Sequence, residues 1–416
     1  AVTSEPARKS TLGNIILLVT SLLVTFVVLE IGYRIRFSQR SVYNYNVVSA
    51  PFYGFSKELG YNYLPNRKAV AASVRNNVVV FWRDIDVGPY GNLGNGVTSW
   101  TEEDLKILAF GDSFTSNPFT LHSWADHAPA AITEAMGRRA QVINLGREGY
   151  GVLQIIHNAA MRAREFSPDL LIITFIKNDI TRGRFWRTQF AVDGMERMFT
   201  SFSPDSLPSI EKANDVIMLN PGLTREWCEK MVSGGTTDDP FLATLNRQFD
   251  RLREDNISKS LYTVTHSFLI DRIRFGDPQH RLRKATAFLP RISFTDYGED
   301  STFLSDAAIL KGLSIPWMVV MLPEIDDLQV GANVLNLQDS LLVQSIEKRL
   351  GTQVVRLFGF LDPIDSDVSK YFASAHDYHS SKLGAQLYAR AIARAVQAHY
   401  GDSLRKPKSK TIAARE

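Results

Sequence analysis

Ile107-Leu108-Ala109-Phe110-Gly111-Asp112-Ser113-Phe114-Thr115 decides how this chain is read. A short apolar run closes in a Gly-Asp-Ser turn. An apolar run of strand length, followed by glycine and a small polar residue, is the pattern of a buried strand leaving a sheet. In an open α/β sheet, ligands and catalytic groups gather at the carboxyl ends of the strands. Ser113 therefore stands where a nucleophile is useful. The other reading of the same residues is a strand-to-helix loop whose Ser or Thr caps a helix.

Three further segments repeat the pattern. Val142-Ile143-Asn144-Leu145 opens into Gly146-Arg147-Glu148-Gly149-Tyr150-Gly151, and a helical pattern follows. Glycine lets the backbone approach a ligand and aim a bare N–H at it, so Gly149 is a candidate oxyanion donor as well as a candidate tight turn. Leu170-Leu171-Ile172-Ile173-Thr174-Phe175 is the most strand-like run and leads to Lys177-Asn178-Asp179. The Asn178 amide offers a neutral donor for a developing oxyanion, or closes the strand as an Asx-turn. Near the end, Ala375-His376-Asp377-Tyr378-His379 precedes a helix carrying Leu387, Ala391, Ile392 and Ala395. His379 has the chemistry of a general base for Ser113, and Asp377 that of the acid holding the ring in its productive tautomer. His376 is a rival that directly precedes Asp377.

Taken in order, Ser, Gly, Asn and then Asp and His at element boundaries resemble the SGNH (GDSL-type) hydrolase superfamily, over roughly residues 57–180 and 305–398. The approach segment, with Glu58-Leu59-Gly60-Tyr61, Pro65-Asn66, Gly91 and Asn95, is also similar. Ile315-Pro316-Trp317-Met318-Val319-Val320-Met321-Leu322-Pro323 looks like the family's late strand. The resemblance implies a three-layer α/β/α domain with a central parallel sheet. It also implies a catalytic triad of Ser113, His379 and Asp377, with the Ser113 and Gly149 N–H groups and the Asn178 side chain as the oxyanion hole. The chain departs from the family pattern at four places. Ile176 stands where the family has glycine, and Arg147 and Glu148 precede Gly149. Ser116-Asn117-Pro118-Phe119 replaces a glycine-rich turn, and the last block is Asp-x-His, as in one bacterial branch.

Composition bounds the alternatives. The chain has 416 residues, 44% hydrophobic and 22% charged, with a formal net charge of +3. That near-balance argues against nucleic acid, which needs a concentrated basic face. Cys228 is the sole cysteine, which excludes an intrachain disulfide and a Cys-based metal cluster, and the eight histidines show no metal-ligand spacing. No metal or organic cofactor is expected.

Leu12 to Tyr33 is almost wholly apolar and about long enough to cross a bilayer as one helix. It is read as a single membrane anchor. Arg8 and Lys9 on one side and Arg34, Arg36 and Arg40 on the other give no orientation by charge. The family resemblance implies a bacterial inner-membrane protein with a periplasmic or extracytoplasmic domain. The expected organisation is a tail over 1–11, the anchor over 12–33, and a linker and approach segment over 34–104. An SGNH-like domain follows over 105–400 with an insertion at 181–305, and then a basic tail over 401–416. Within the insertion, Ile257 to Phe275 has the spacing of an amphipathic helix. Arg182, Arg184, Trp186 and Arg187 form either a cation-rich entrance for an acidic glycan or phospholipid headgroup, or a solvated face.

The expected function is a membrane-anchored serine esterase acting on an ester-bearing substrate such as an acylated glycan or lipid. The same constellation would serve an O-acyltransferase. The departures around Gly149 and Asn178 also fit an accessory subunit of a membrane complex that keeps the fold without its chemistry.

Overall fold

The computed structural model describes residues 8–38, 44–93, 100–116, 118–183, 186–192, 195–201, 217–258, 300–331, 335–374 and 377–404. The chain divides into two units, residues 1–43 with 241–288 and residues 44–240 with 289–416.

In the first unit, α1 (Arg8–Ser38) is one unbroken helix over the apolar stretch. Ile15, Ile16, Leu17, Leu18 and Val19 follow one another, and each is at least half exposed. Successive helical residues point about 100° apart, so the apolar surface goes round the helix rather than forming one stripe. The described side chains of α1 cover 13–28 only. Among the described residues, no helix is long and apolar enough to cross a membrane. The amphipathic helix expected over Ile257–Phe275 falls almost wholly outside the described residues, as does the basic tail beyond residue 404.

The second unit opens with β1 (Asn44–Val48), β2 (Tyr53–Ser56), β3 (Gly60–Tyr63), β4 (Lys68–Arg75) and β5 (Val78–Asp86). Within the stretch expected as linker and approach, Asn44 to Asp86 is therefore mostly strand. Asn76 and Asn77 both take positive φ between β4 and β5, the turn geometry whose twist suits a two-residue hairpin and which asparagine tolerates. β2 and β3 pair antiparallel, with Tyr53 opposite Tyr63.

Then come β6 (Leu105–Phe110), α2 (Trp124–Met136), β7 (Ala140–Asn144), α3 (Val152–Phe166), β8 (Leu170–Phe175) and the short α4 (Lys177–Ile180). The insertion contributes β9 (Trp186–Val192), β10 (Met195–Ser201), β11 (Ile217–Leu219) and α5 (Arg225–Val232) here, while α6 (Pro240–Ser258) belongs from residue 241 onward to the first unit. The last part holds α7 (Ser301–Lys311), β12 (Trp317–Met321), α8 (Ile325–Val330), α9 (Leu337–Leu350), β13 (Val354–Arg356), β14 (Phe372–Ser374), β15 (Asp377–Ser380) and α10 (Lys382–Leu404). β11 joins β1 in a sheet ordered β11-β1-β4-β5, so the insertion and the approach segment share one sheet.

The central sheet is parallel and ordered β13-β12-β8-β6-β7. Every residue of β8 is buried, the signature of a strand covered on both faces. Side chains alternate across it. Leu108 and Phe110 of β6, with Leu171, Ile173 and Phe175 of β8, pack under α3, α7 and α9. Leu105, Ile107 and Ala109, with Leu170 and Ile172, pack under α2 and α10. The result is the expected three-layer α/β/α arrangement. Each large apolar side chain buried this way contributes about 1.5–3 kcal/mol, and that burial keeps the strand ends in fixed register. From β6 the chain moves out to β7, then crosses back to β8 on the other side. The order reverses at β6, and such a switch point leaves a crevice at the carboxyl ends.

Candidate active site

Ser113 lies in the turn that leaves β6 at this switch point. Gly111 begins it, and a Cβ there would stand 2.1 Å from Thr115 Oγ1 and 2.3 Å from Thr174 Oγ1, so only glycine lets the turn fold onto β8. Asp112 is fully buried, and its Oδ1 accepts the Phe114 N–H at 3.0 Å. Its carbonyl accepts from Thr115 N (3.1 Å) and Ser116 N (3.0 Å). These bonds leave Ser113 half-buried at the surface of an otherwise buried turn. Its hydroxyl donates to Asp112 Oδ2 at 3.3 Å. Burial pushes the Asp112 carboxyl above the usual carboxylate range, while Arg182 and, more weakly, His379 pull it down.

The next loop follows β7. Asn144 Nδ2 donates to the Thr115 carbonyl (2.6 Å) and Asn144 Oδ1 accepts from Gly146 N (3.0 Å), while Arg147 N donates to the Gly111 carbonyl (2.9 Å). The Ser113 and Gly149 turns are thus bonded together. Gly149 has φ +80°, a left-handed conformation that strains any residue with a Cβ. Arg147 and Glu148, the departures from the family pattern, have structural partners here. Arg147 is 1% exposed; its Nε donates to Asn62 Oδ1 at 2.8 Å, and its guanidinium lies 4.5 Å from the centre of the Tyr63 ring. The hydroxyls of Tyr53 and Tyr63 both donate to the Glu148 carboxylate. Burial and then the Glu148 charge push the Tyr63 phenol well above its ordinary range. Tyr150 Oη donates to the Tyr61 carbonyl, and Gln154 Nε2 to that of Leu59 (3.0 Å). The β2–β3 hairpin therefore grips the Gly149 loop through Arg147, Glu148 and Tyr150, and the first turn of α3 through Gln154.

Asn178 is exposed on α4, just beyond β8. Asp179 beneath it is fully buried, and its Oδ2 accepts the Ile176 N–H at 3.0 Å. Burial, then the neighbouring Asp112 charge, holds the Asp179 carboxyl well above the usual range. Arg182 answers both acids, with its Nη1 2.7 Å from Asp179 Oδ1 and 3.0 Å from the Tyr150 carbonyl. Arg182 is thus a tie within the site's floor and not part of a cationic entrance. Arg184 and the side chains of Trp186 and Arg187 lie outside the described residues.

The Asn178 Nδ2 donates to Glu324 Oε1 at 2.8 Å. Glu324 follows β12, the strand beside β8, and is a site residue that the sequence reading missed. Its one local signal is an acid directly after the Leu322-Pro323 strand end. Lys177 Nζ stands 3.7 Å from its other oxygen. Burial pushes the Glu324 carboxyl up to about 7; Lys177 opposes this, and Asp327, Asp112 and Asp326 add to it.

His379 comes from β15, at the other end of the chain from Ser113. Its ring centre is 5.3 Å from that of Phe114, the residue after Ser113, and its charge is felt by Asp112. Asp377 stands two places earlier in β15; its side chain, and all of His376, lie outside the described residues. The fold thus brings His379 against the serine turn, and sets Gly149 and Asn178 on the loops after the two strands flanking β6. Among the described residues, no group of three or more His, Cys, Asp or Glu side chains is placed to hold a metal ion.

Residues 107–255 match the family model of the GDSL-like lipase/acylhydrolases. The match takes in Ser113, Gly149 and Asn178 and ends before Asp377 and His379. Similar solved structures include a lipolytic protein of the G-D-S-L family from Desulfitobacterium hafniense DCB-2, at 12% identity over 70% of this chain and 98% of that one, with a TM-score of 0.27. Another is the lipase/acylhydrolase from Enterococcus faecalis, at 13% identity over 70% and 95%, with a TM-score of 0.28. No curated protein matches the chain.

Proposed function

We propose that this chain, which belongs to the SGNH/GDSL superfamily of ester hydrolases, cleaves acyl esters with Ser113 as nucleophile and His379 as general base. The observation that carries this reading is the packing of His379 on Phe114, beside a half-buried serine at the switch point of the sheet. Ser113 Oγ attacks the ester carbonyl while His379 takes its proton, and Asp377 steadies the imidazolium that forms. The tetrahedral oxyanion is held by the Ser113 and Gly149 N–H groups and the Asn178 amide. His379 then protonates the leaving alcohol, and water releases the acyl group by the same steps in reverse. The two buried acids below the serine remain structural. Asp112 fixes the turn, and Asp179 fixes α4 through the Ile176 N–H.

An acylated glycan or a lipid ester is the proposed substrate class. The proposed location is the bacterial inner membrane, with α1 as a single-pass anchor and the second unit extracytoplasmic. The exposed apolar side chains from Ile15 to Val28 support the anchor. Recovery of the full chain with the membrane fraction after alkaline carbonate extraction is expected, and its release would contradict the anchor.

Hydrolysis of short p-nitrophenyl acyl esters tests the chemistry. Wild type is expected to turn over, and Ser113→Ala and His379→Ala are each expected to lose about 10³-fold or more in kcat. Wild-type turnover by the Ser113→Ala variant would overturn the assignment.

A further inference from the structure

We infer that Glu324 is a positioning residue, which holds the Asn178 amide in the rotamer that turns its free N–H toward the oxyanion of the Ser113 adduct. This inference rests on the serine reading above and adds to it a part that the superfamily match does not reach, since residue 324 lies beyond residues 107–255.

Asn178 needs such a holder. It is exposed on a helix of a single turn, where an amide is free to sample several rotamers. Among the described residues its side chain has one hydrogen-bond partner, Glu324 Oε1 at 2.8 Å. A primary amide carries two N–H groups. With one committed to the carboxylate, the other has a fixed direction.

The backbone places the two residues with matched register. Met321 of β12 pairs with Phe175 of β8, and Glu324 and Asn178 each stand three residues beyond that pair. Leu322 N donates to the Phe175 carbonyl at 2.9 Å, which extends the pairing toward both residues. Tyr388 Oη donates to the Pro323 carbonyl at 2.8 Å, and Glu324 N donates to Asp327 Oδ2 at 2.8 Å. Glu324 is thus fixed from its own backbone, from α10 and from α8. A fixed acceptor can restrain a mobile donor.

The groups facing Glu324 are Lys177, Asn178 and Asp179 on α4, Asp326 and Asp327 on α8, Asp112 in the serine turn, and Tyr388 on α10. With its carboxyl pushed up to about 7 by burial, Glu324 changes charge near neutrality. The hydrogen bond from Asn178 is then charge-assisted above that pH and neutral below it.

The test is steady-state kinetics on a short acyl ester for wild type, Glu324→Ala, Glu324→Asp, Glu324→Gln, Asn178→Ala and the Glu324→Ala/Asn178→Ala double variant, each checked for folding by circular dichroism. Glu324→Ala is expected to lose about ten-fold in kcat at unchanged KM, a part of the ~10²–10³ that loss of a whole oxyanion donor costs. Glu324→Asp keeps the charge but withdraws the oxygen from Asn178, so it is expected to show the same loss of about ten-fold in kcat, which keeps the test readable if the alanine variant fails to fold. Glu324→Gln retains an acceptor oxygen and is expected to recover most of the loss. The double variant is expected to be no slower than Asn178→Ala alone, because two residues acting through one donor are not additive. Wild-type kcat in both Glu324→Ala and Glu324→Asp, or fully additive losses in the double variant, would overturn the inference. Unchanged turnover in Ser113→Ala would instead overturn the serine reading on which it rests.

Discussion

Gly149 and Asn178 stand on the loops that flank Ser113, one after β7 and the other after β8, and the chain secures them with different chemistry. The Gly149 loop is embedded. Arg147, Glu148, Tyr150 and Gln154 each bond to the β2–β3 hairpin, and the loop is also bonded to the serine turn through Arg147 N and Asn144. The oxyanion donor proposed for it is a backbone N–H that has nowhere to rotate. The Asn178 arm has a foot in Asp179 and Arg182, but its proposed donor is an exposed side chain held, among the described residues, by one bond to Glu324. One donor is therefore fixed by folding, and the other by a single titratable neighbour. Damage to the first should register mainly as lost stability, and damage to the second mainly as lost turnover.

The sharpest contrast comes from Asn178→Ala. It removes an exposed side chain, so the melting temperature should hardly change, while kcat falls by ~10²–10³ through loss of an oxyanion donor. Equal loss of both would erase the distinction between the arms. On the other arm, Glu148→Ala should destabilise the fold by about 3 kcal/mol, because it leaves two buried phenol hydroxyls without their acceptor. Urea unfolding measures this, and a variant as stable as wild type would show that the hairpin grip is dispensable.

The titration of Glu324 separates the arms by pH. Its carboxyl moves from an ordinary 4.5 to about 7 in the folded chain. Between those values the folded state binds the proton that the unfolded state has released, so stability falls as pH rises. Each pH unit in that window is worth about 1.36 kcal/mol, for a total of about 3 kcal/mol. Wild type should therefore lose about 3 kcal/mol relative to Glu324→Gln between pH 4.5 and pH 7.5, and parallel unfolding curves across that range would contradict it. The smallest effect is expected from Tyr53→Phe, which removes one donor to Glu148 while that of Tyr63 stays, and should cost about 1 kcal/mol with kcat little changed.

The central sheet was legible because its strands are buried on both faces and read as continuous apolar runs. The stretches ending at Phe110, Asn144 and Phe175 coincide with β6, β7 and β8, and Ile315–Pro323 contains β12. The places of Ser113, Gly149 and Asn178 just beyond β6, β7 and β8 were legible because each lies within a few residues of such a run. The three-residue β13 carries too few side chains to show a period. Tyr53 and Tyr63 meet Glu148 across long sequence separations, so Arg147 and Glu148 read only as departures from a family pattern. Arg182 looked like part of a surface cluster because nothing local shows that two buried acids sit beneath it. Glu324 was passed over for a similar reason. An acid at a helix start is ordinarily a cap, and its second contact lies on a neighbouring strand end.

The most direct measurement on Ser113 is labelling of the full, detergent-solubilised chain with a fluorophosphonate probe, followed by peptide mass spectrometry. Adduct on Ser113 in wild type, with none in Ser113→Ala and sharply slower labelling in His379→Ala, is the expected result. No adduct on Ser113 in folded wild-type protein, or equal labelling in the His379→Ala variant, would contradict a serine activated by this histidine.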